Sequence, residues 1–172
     1  MKMKFALMSC VVLALAALLA TPALAQGNCM ALGGIIAAHY EFGGLEGDGW
    51  YGTAYLTLGK DPTILPAKLV DLNSGSKDHP FKANFAGDEI LTFTIEGRGS
   101  FKMSGHFICV AGSGPYFCGF SEEGKLVPDA GTGEYAGMTG NISSHGSAVF
   151  GWEPTTDNPW IWISQLTGSV CK

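Results

Sequence analysis

Residues 90–96 read Ile-Leu-Thr-Phe-Thr-Ile-Glu, and from Leu91 onward apolar and polar side chains alternate strictly. This period of two is typical of a β-strand with one buried face, and it places Leu91, Phe93 and Ile95 together on that face. A Gly-Arg-Gly turn follows at 97–99, and residues 101–109 then alternate in the same way. The segment therefore predicts two antiparallel strands joined by a tight turn.

The same pattern extends through most of the chain. Turn signals rich in Gly, Pro, Asn and Asp separate the alternating segments, and 25 of the 172 residues are Gly, about twice the usual share of ~7 %. Eight or nine short strands at this spacing are typical of a sandwich or a barrel, and we expect a single antiparallel β-barrel of about eight strands. The further strands are predicted at 31–42, 50–58, 67–72, 81–85, 116–121, 142–152 and 160–170.

The N-terminus has the three parts of a secretory signal peptide. Two lysines, Lys2 and Lys4, precede an uncharged apolar run at 5–20, and Ala-Leu-Ala at 23–25 forms a cleavage box. The run is shorter than the ~20 residues that a membrane-spanning helix needs. We predict a signal peptide at 1–25, a barrel domain at 26–172, and a secreted, periplasmic or extracellular product without a membrane anchor.

The net charge excludes two classes of partner. Without the two lysines of the signal, the chain carries 8 basic and 15 acidic residues, a net charge of −7. Nucleic acids and anionic membrane surfaces are bound through clustered positive charge, so we expect neither as a partner.

Four cysteines remain after residue 25, and an even number in an exported chain predicts disulfides. Cys109 and Cys118 lie on either side of the turn sequence Ala-Gly-Ser-Gly-Pro, and they would face each other in a hairpin centred on 113–114. We therefore favour Cys109–Cys118, which leaves Cys29–Cys171 to join the chain ends, while the other two pairings stay open. The cysteine and histidine spacings do not match a zinc signature, so no metal site is predicted.

One segment carries a family resemblance. Residues 131–140 read Gly-Thr-Gly-Glu-Tyr-Ala-Gly-Met-Thr-Gly, which resembles the G-x-G-x-F/Y-x-G-x-x-G signature of allene oxide cyclase and dirigent barrels. The final Leu-Thr-Gly at 166–168 resembles the end of their last strand. The resemblance covers 131–170 and implies a calycin-like barrel of a bacterial, secreted type. In physical terms we expect positive φ at Gly131 and Gly133, and Tyr135 as a plug at one barrel end.

The aromatic residues indicate a binding function. The interior of an eight-stranded barrel is either filled by side chains or holds one small ligand. We predict a protein without a cofactor that binds a small apolar or amphiphilic ligand in an aromatic-lined interior. The residues assigned to that ligand are Trp50, Tyr55, Phe93, Phe107, Trp152 and Trp162, with Phe120 and Trp160 as further candidates for the lining.

Two other functions stay open. Glu41 follows Tyr40 near the end of the first strand, which resembles a Tyr-Glu step of plant allene oxide cyclases whose Glu lies in the cavity. That resemblance implies a cyclase- or dirigent-like isomerase that orients a reactive substrate, with Glu41 as its acid or base. Alternatively, Glu41 is a solvated carboxylate at a strand end. The third interpretation is a structural, self-associating envelope domain, a homo-oligomer without a ligand. No hydrolytic site is recognisable.

Overall fold

The computed structural model describes residues 28–44, 46–72, 84–112, 117–149 and 160–172. The predicted signal peptide at 1–25 lies outside these residues. Within these described ranges the chain forms eight strands and two short 3-10 helices. The strands are β1 Cys29–Gly44, β2 Gly47–Leu58, β3 Leu65–Asp71, β4 Asn84–Ile95, β5 Gly99–Ala111, β6 Phe117–Leu126, β7 Thr139–Val149 and β8 Ile161–Cys171, and the helices are η1 Pro128–Ala130 and η2 Gly133–Tyr135. None of the described helices is long and apolar enough to cross a membrane.

The strands form one closed barrel in chain order, each antiparallel to its neighbours, and β8 pairs with β1 to close it. This confirms the prediction of a single antiparallel barrel of about eight strands. The strand predicted at 81–85 overlaps the start of β4, which begins at Asn84 and runs on through the segment 90–96.

The alternating residues are divided between the two faces as the period of two predicts. Leu91, Phe93 and Ile95 are all buried in the core. On β8, Trp162, Ser164 and Leu166 are likewise buried, whereas Ile163 and Gln165 between them point outward. The hydrophobic core is therefore the barrel interior, because each strand contributes every second side chain to it.

One end of the barrel, here called the plugged end, is closed by η2. Tyr135 is buried there, with its ring centroid 5.4 Å from that of Phe101, which confirms the predicted plug. Gly133 has φ +58°, as expected. The expectation for Gly131 is wrong, because its φ is −79°. Gly is required at 131 for a different reason, since a Cβ there would collide with the carbonyl oxygen of Tyr135.

Both favoured disulfides are present, Cys29–Cys171 across the β1–β8 seam and Cys109–Cys118 in the β5–β6 hairpin. Two disulfides fit an oxidising compartment. The predicted hairpin register is wrong, however, because Cys109 pairs with Phe120 and Cys118 with Ala111. The two cysteines are thus diagonal neighbours on the inner face. A further result of this register is that Glu122 lies opposite Phe107.

Candidate ligand-binding site

Six aromatic side chains form a continuous series of ring contacts inside the barrel, at the end opposite the plug. We call this series the aromatic arc. Its members, in order of contact, are Trp160, Tyr40, Trp50, Trp162, Phe120 and Phe107. The successive centroid distances are 5.2, 5.5, 6.1, 5.0 and 5.8 Å. Such separations are those of favourable edge-on and offset aromatic pairs.

Small residues on the neighbouring strands make room for these rings. In the ladder, Trp162 lies between Ala38 of β1 and Ala148 of β7. Phe120 lies opposite Gly146, where a Cβ would collide with the backbone of β8. Alternation of large and small inner residues is how a small barrel accommodates bulky side chains at one level.

Three carboxyl groups are buried at the same end of the barrel. Asp71 ends β3, Glu89 lies on β4 and Glu122 on β6, and their exposed fractions are 0 %, 4 % and 1 %. We call these residues the carboxyl cluster. Asp71 lies directly opposite Trp50, and Glu122 directly opposite Phe107. The cluster therefore adjoins the aromatic arc at two points.

A glycine on β5 provides the space for one of these acids, because it has no side chain. Gly105 lies opposite Glu89 in the β4–β5 ladder. A Cβ on Gly105 would collide with Oε1 of Glu122. The carboxyl of Glu122 thus occupies the volume that a side chain of β5 would otherwise fill.

Burial shifts the titration of two of the acids. Burial and then the negative charges of Glu122 and Asp71 raise the pKa of Glu89 well above its ordinary range. Burial raises the pKa of Glu122 to about 7; a hydrogen bond with the neighbouring Glu89 carboxyl offsets part of the rise, and the charges of Asp71 and Glu123 add to it. The cluster therefore gains or loses a proton near neutral pH.

Several buried polar atoms of the site lack a partner. Outside the cluster, no described residue donates a hydrogen bond to Oε1 of Glu89 or to either carboxyl oxygen of Glu122. The indole Nε1 of Trp162 is buried without an acceptor among the described residues. No basic side chain is buried in the described part of the barrel. Buried polar groups are nearly always hydrogen-bonded, so these atoms require an explanation beyond packing.

The structure gathers only part of the predicted ligand-binding set. Trp50, Phe107 and Trp162 belong to the aromatic arc. Phe93 is buried nearer the plugged end, stacked on Phe101 with centroids 4.9 Å apart. Tyr55 is 51 % exposed on the outer face, because Ala54 and Leu56 on either side of it point inward. Trp152 lies outside the described residues.

Glu41 is not in the interior. Its Oε1 lies 2.6 Å from Nε2 of His39, and both side chains are almost half exposed on the outer face of β1. Because Tyr40 points inward, its neighbour in the strand must point outward. The solvated interpretation of Glu41 is therefore the one that fits.

The carboxyl cluster is not among the sites predicted from the sequence. A signal was present, because each acid is in phase with a buried apolar residue of its own strand: Asp71 lies two residues after Leu69, Glu89 two residues before Leu91, and Glu122 four residues before Leu126. A charged residue in the apolar phase of a strand is rare enough to mark a site.

Comparisons with known proteins add no assignment. No protein-family model, no curated protein and no solved structure matches this chain. Among the described residues, no group of three or more His, Cys, Asp or Glu side chains is arranged to hold a metal ion.

Proposed function

We propose that this protein is a secreted binding protein that holds a small amphiphilic molecule inside the barrel, between the aromatic arc and the carboxyl cluster. The observation that carries the proposal is the set of buried polar atoms of Glu89, Glu122 and Trp162 that have no partner among the described residues outside the carboxyl cluster, beside six aromatic rings. A site that combines an apolar wall with a few polar groups is typical of small-molecule binding, because the wall supplies affinity and the polar groups fix orientation.

The stability of the fold alone does not account for these acids. A buried carboxyl without a partner destabilises the folded state, and packing an apolar residue in its place costs nothing comparable. Perturbed titration combined with burial is characteristic of functional sites. A ligand with an apolar body and a polar head satisfies both sides of this interior.

Two observations support the proposal that the protein is exported. The N-terminal 25 residues have the pattern of a signal peptide, and the two disulfides fit an oxidising compartment. Membership of the allene oxide cyclase and dirigent group is likewise part of the proposal, supported by residues 131–140 and by the Tyr135 plug.

Native mass spectrometry of protein secreted by its own host tests the binding function, together with tryptophan fluorescence during titration with a panel of amphiphiles. Three of the four tryptophans belong to the aromatic arc, so we expect a bound ligand to change their emission. Trp162→Phe should weaken binding, whereas Tyr55→Phe on the outer face should not. Absence of a co-purifying molecule, with no response to any panel member, would exclude the proposal.

The titration of Glu122 favours a second candidate function, acid–base catalysis on the bound molecule. A carboxyl with a pKa of about 7 is suited to both accepting and donating a proton near neutral pH. Glu122→Gln keeps the shape of the side chain but removes its titration. Loss of conversion with retained binding in this variant would identify a catalyst, and retained conversion would exclude this role.

A further inference from the structure

We propose that the molecule bound between the aromatic arc and the carboxyl cluster is an organic amine, with its ammonium group at Glu89 and Glu122 and its apolar body along the arc. This inference rests on the proposed binding function and names the chemical class of the ligand. It comes from the way that charge, unpartnered atoms and aromatic faces are combined at this end of the barrel.

In the described part of the interior, the buried ionisable carboxyl groups have no basic partner. Three acidic side chains are buried, and no basic side chain accompanies them among the described residues. An anionic ligand would meet repulsion there, and a neutral ligand would leave the cluster without a counter-charge. A cation removes the repulsion between the carboxylates and takes the place of the protons that burial otherwise forces on them.

The unpartnered atoms are mainly hydrogen-bond acceptors. Oε1 of Glu89 and both carboxyl oxygens of Glu122 have no donor from the rest of the described chain. An ammonium group carries up to three N–H donors, so one group can satisfy all three oxygens. Hydrogen bonds of this charged type are about twice as strong as neutral ones.

Aromatic rings adjoin the acids at both ends of the cluster. Trp50 is paired with Asp71, and Phe107 with Glu122, in adjacent strands. A cation at the carboxyls is therefore close to aromatic side chains, and aromatic rings attract organic cations, tryptophan most strongly. A metal ion is not favoured by these neighbours, because hard cations require shells of oxygen ligands.

A trio of probes with a common body tests the charge requirement: 2-phenylethylamine, 2-phenylethanol and 3-phenylpropanoate. These supply an ammonium, a hydroxyl and a carboxylate on the same phenylalkyl group. By isothermal titration calorimetry at pH 8, we expect the amine to bind at least ten-fold more tightly than the alcohol, and the carboxylate not to bind.

The double variant Glu89→Gln/Glu122→Gln tests the residues. We expect it to lose the preference for the amine over the alcohol. The matched control is Glu123→Gln, because Glu123 is adjacent in sequence but points outward and accepts a hydrogen bond of 2.7 Å from Ser143. This control should bind the amine as the wild type does. If the double variant does not fold, the wild type is compared at pH 8 and pH 5, where protonation of the cluster should reduce the preference.

The possible results distinguish failure of the amine inference from failure of the proposed binding function on which it rests. Equal binding of amine and alcohol, or an unchanged preference in the double variant, would overturn the amine inference while leaving an amphiphile site in place. Binding of another amphiphile from the panel, with no binding of any of the three probes, would also overturn the amine inference and leave an amphiphile site in place. If nothing in the panel binds, the proposed function itself fails.

Discussion

Gly105 of β5 and Glu122 of β6 compete for one volume: a Cβ on the glycine would collide with Oε1 of the buried acid. The carboxyl of Glu122 can therefore occupy its position on β6 only because residue 105 on β5 has no side chain. The relationship links the backbone of the barrel directly to the candidate site, and it makes the position of the acid testable by a single methyl group.

Gly105→Ala should destabilise the protein by about 1–3 kcal/mol, because the methyl group overpacks the interior and forces the Glu122 carboxyl to move. Gly119→Ala is the matched control, since the nearest atom to a Cβ there is 3.9 Å away on the same pair of strands. Chemical denaturation measures both variants. Equal stability of the two alanine variants would show that Glu122 does not occupy this volume.

Stability should fall as the pH rises through the titration of the carboxyl cluster. The folded state holds the proton of Glu122 up to a pKa of about 7, whereas the unfolded chain releases it near the ordinary value of 4.5. The stabilisation is therefore complete below about pH 4.5, is lost as the pH approaches 7, and amounts to roughly 3 kcal/mol. The raised pKa of Glu89 adds a loss of the same sign.

Glu122→Gln removes this proton exchange, so its free energy of unfolding should depend less steeply on pH than that of the wild type. Urea denaturation between pH 4.5 and pH 8 measures the difference. Glu123→Gln on the outer face serves as the control and should change the slope far less, because the charge of Glu123 is the smallest of the influences on the pKa of Glu122. Parallel curves for wild type and Glu122→Gln would contradict a buried, proton-holding Glu122.

The two disulfides should contribute unequally to stability. Cys29–Cys171 closes a separation of 142 residues and Cys109–Cys118 one of 9 residues. Loop-closure entropy then gives about 5 kcal/mol for the first and about 2.7 kcal/mol for the second. Paired Cys→Ser variants, compared by denaturant unfolding, should follow that order. Hydrogen exchange in the first variant should increase mainly along the β1–β8 seam, and exchange spread evenly over the barrel would argue against the seam as the weak point.

Two substitutions of the plug should have opposite outcomes. Tyr135→Ala removes a buried ring packed against Phe101 and should cost about 3–5 kcal/mol. Tyr135→Phe keeps the ring and removes a buried hydroxyl that has no hydrogen-bond partner among the described residues, so it should be neutral or stabilising. Thermal unfolding measures both. A large loss in Tyr135→Phe would reveal a partner for the hydroxyl.

Much of the candidate site could not be predicted from single strands. On β2, the phase with Trp50 and Ala54 and the phase with Tyr51 and Tyr55 both contain aromatic residues. Aromatic character therefore does not say which side chains face the interior, and the prediction that Tyr55 lines it is wrong. The buried phase is decided by what each residue meets on the neighbouring strands.

The sequence by itself determined the strands, their approximate number and the Tyr135 plug, and it favoured the two disulfide pairings, because period-two alternation, cysteine count and turn glycines are local signals. Only the tertiary structure decided that Asp71, Glu89 and Glu122 meet. These acids come from three strands, and their common level depends on the registers of the ladders between them. Register is a property of paired strands, so the site exists only once the barrel has closed.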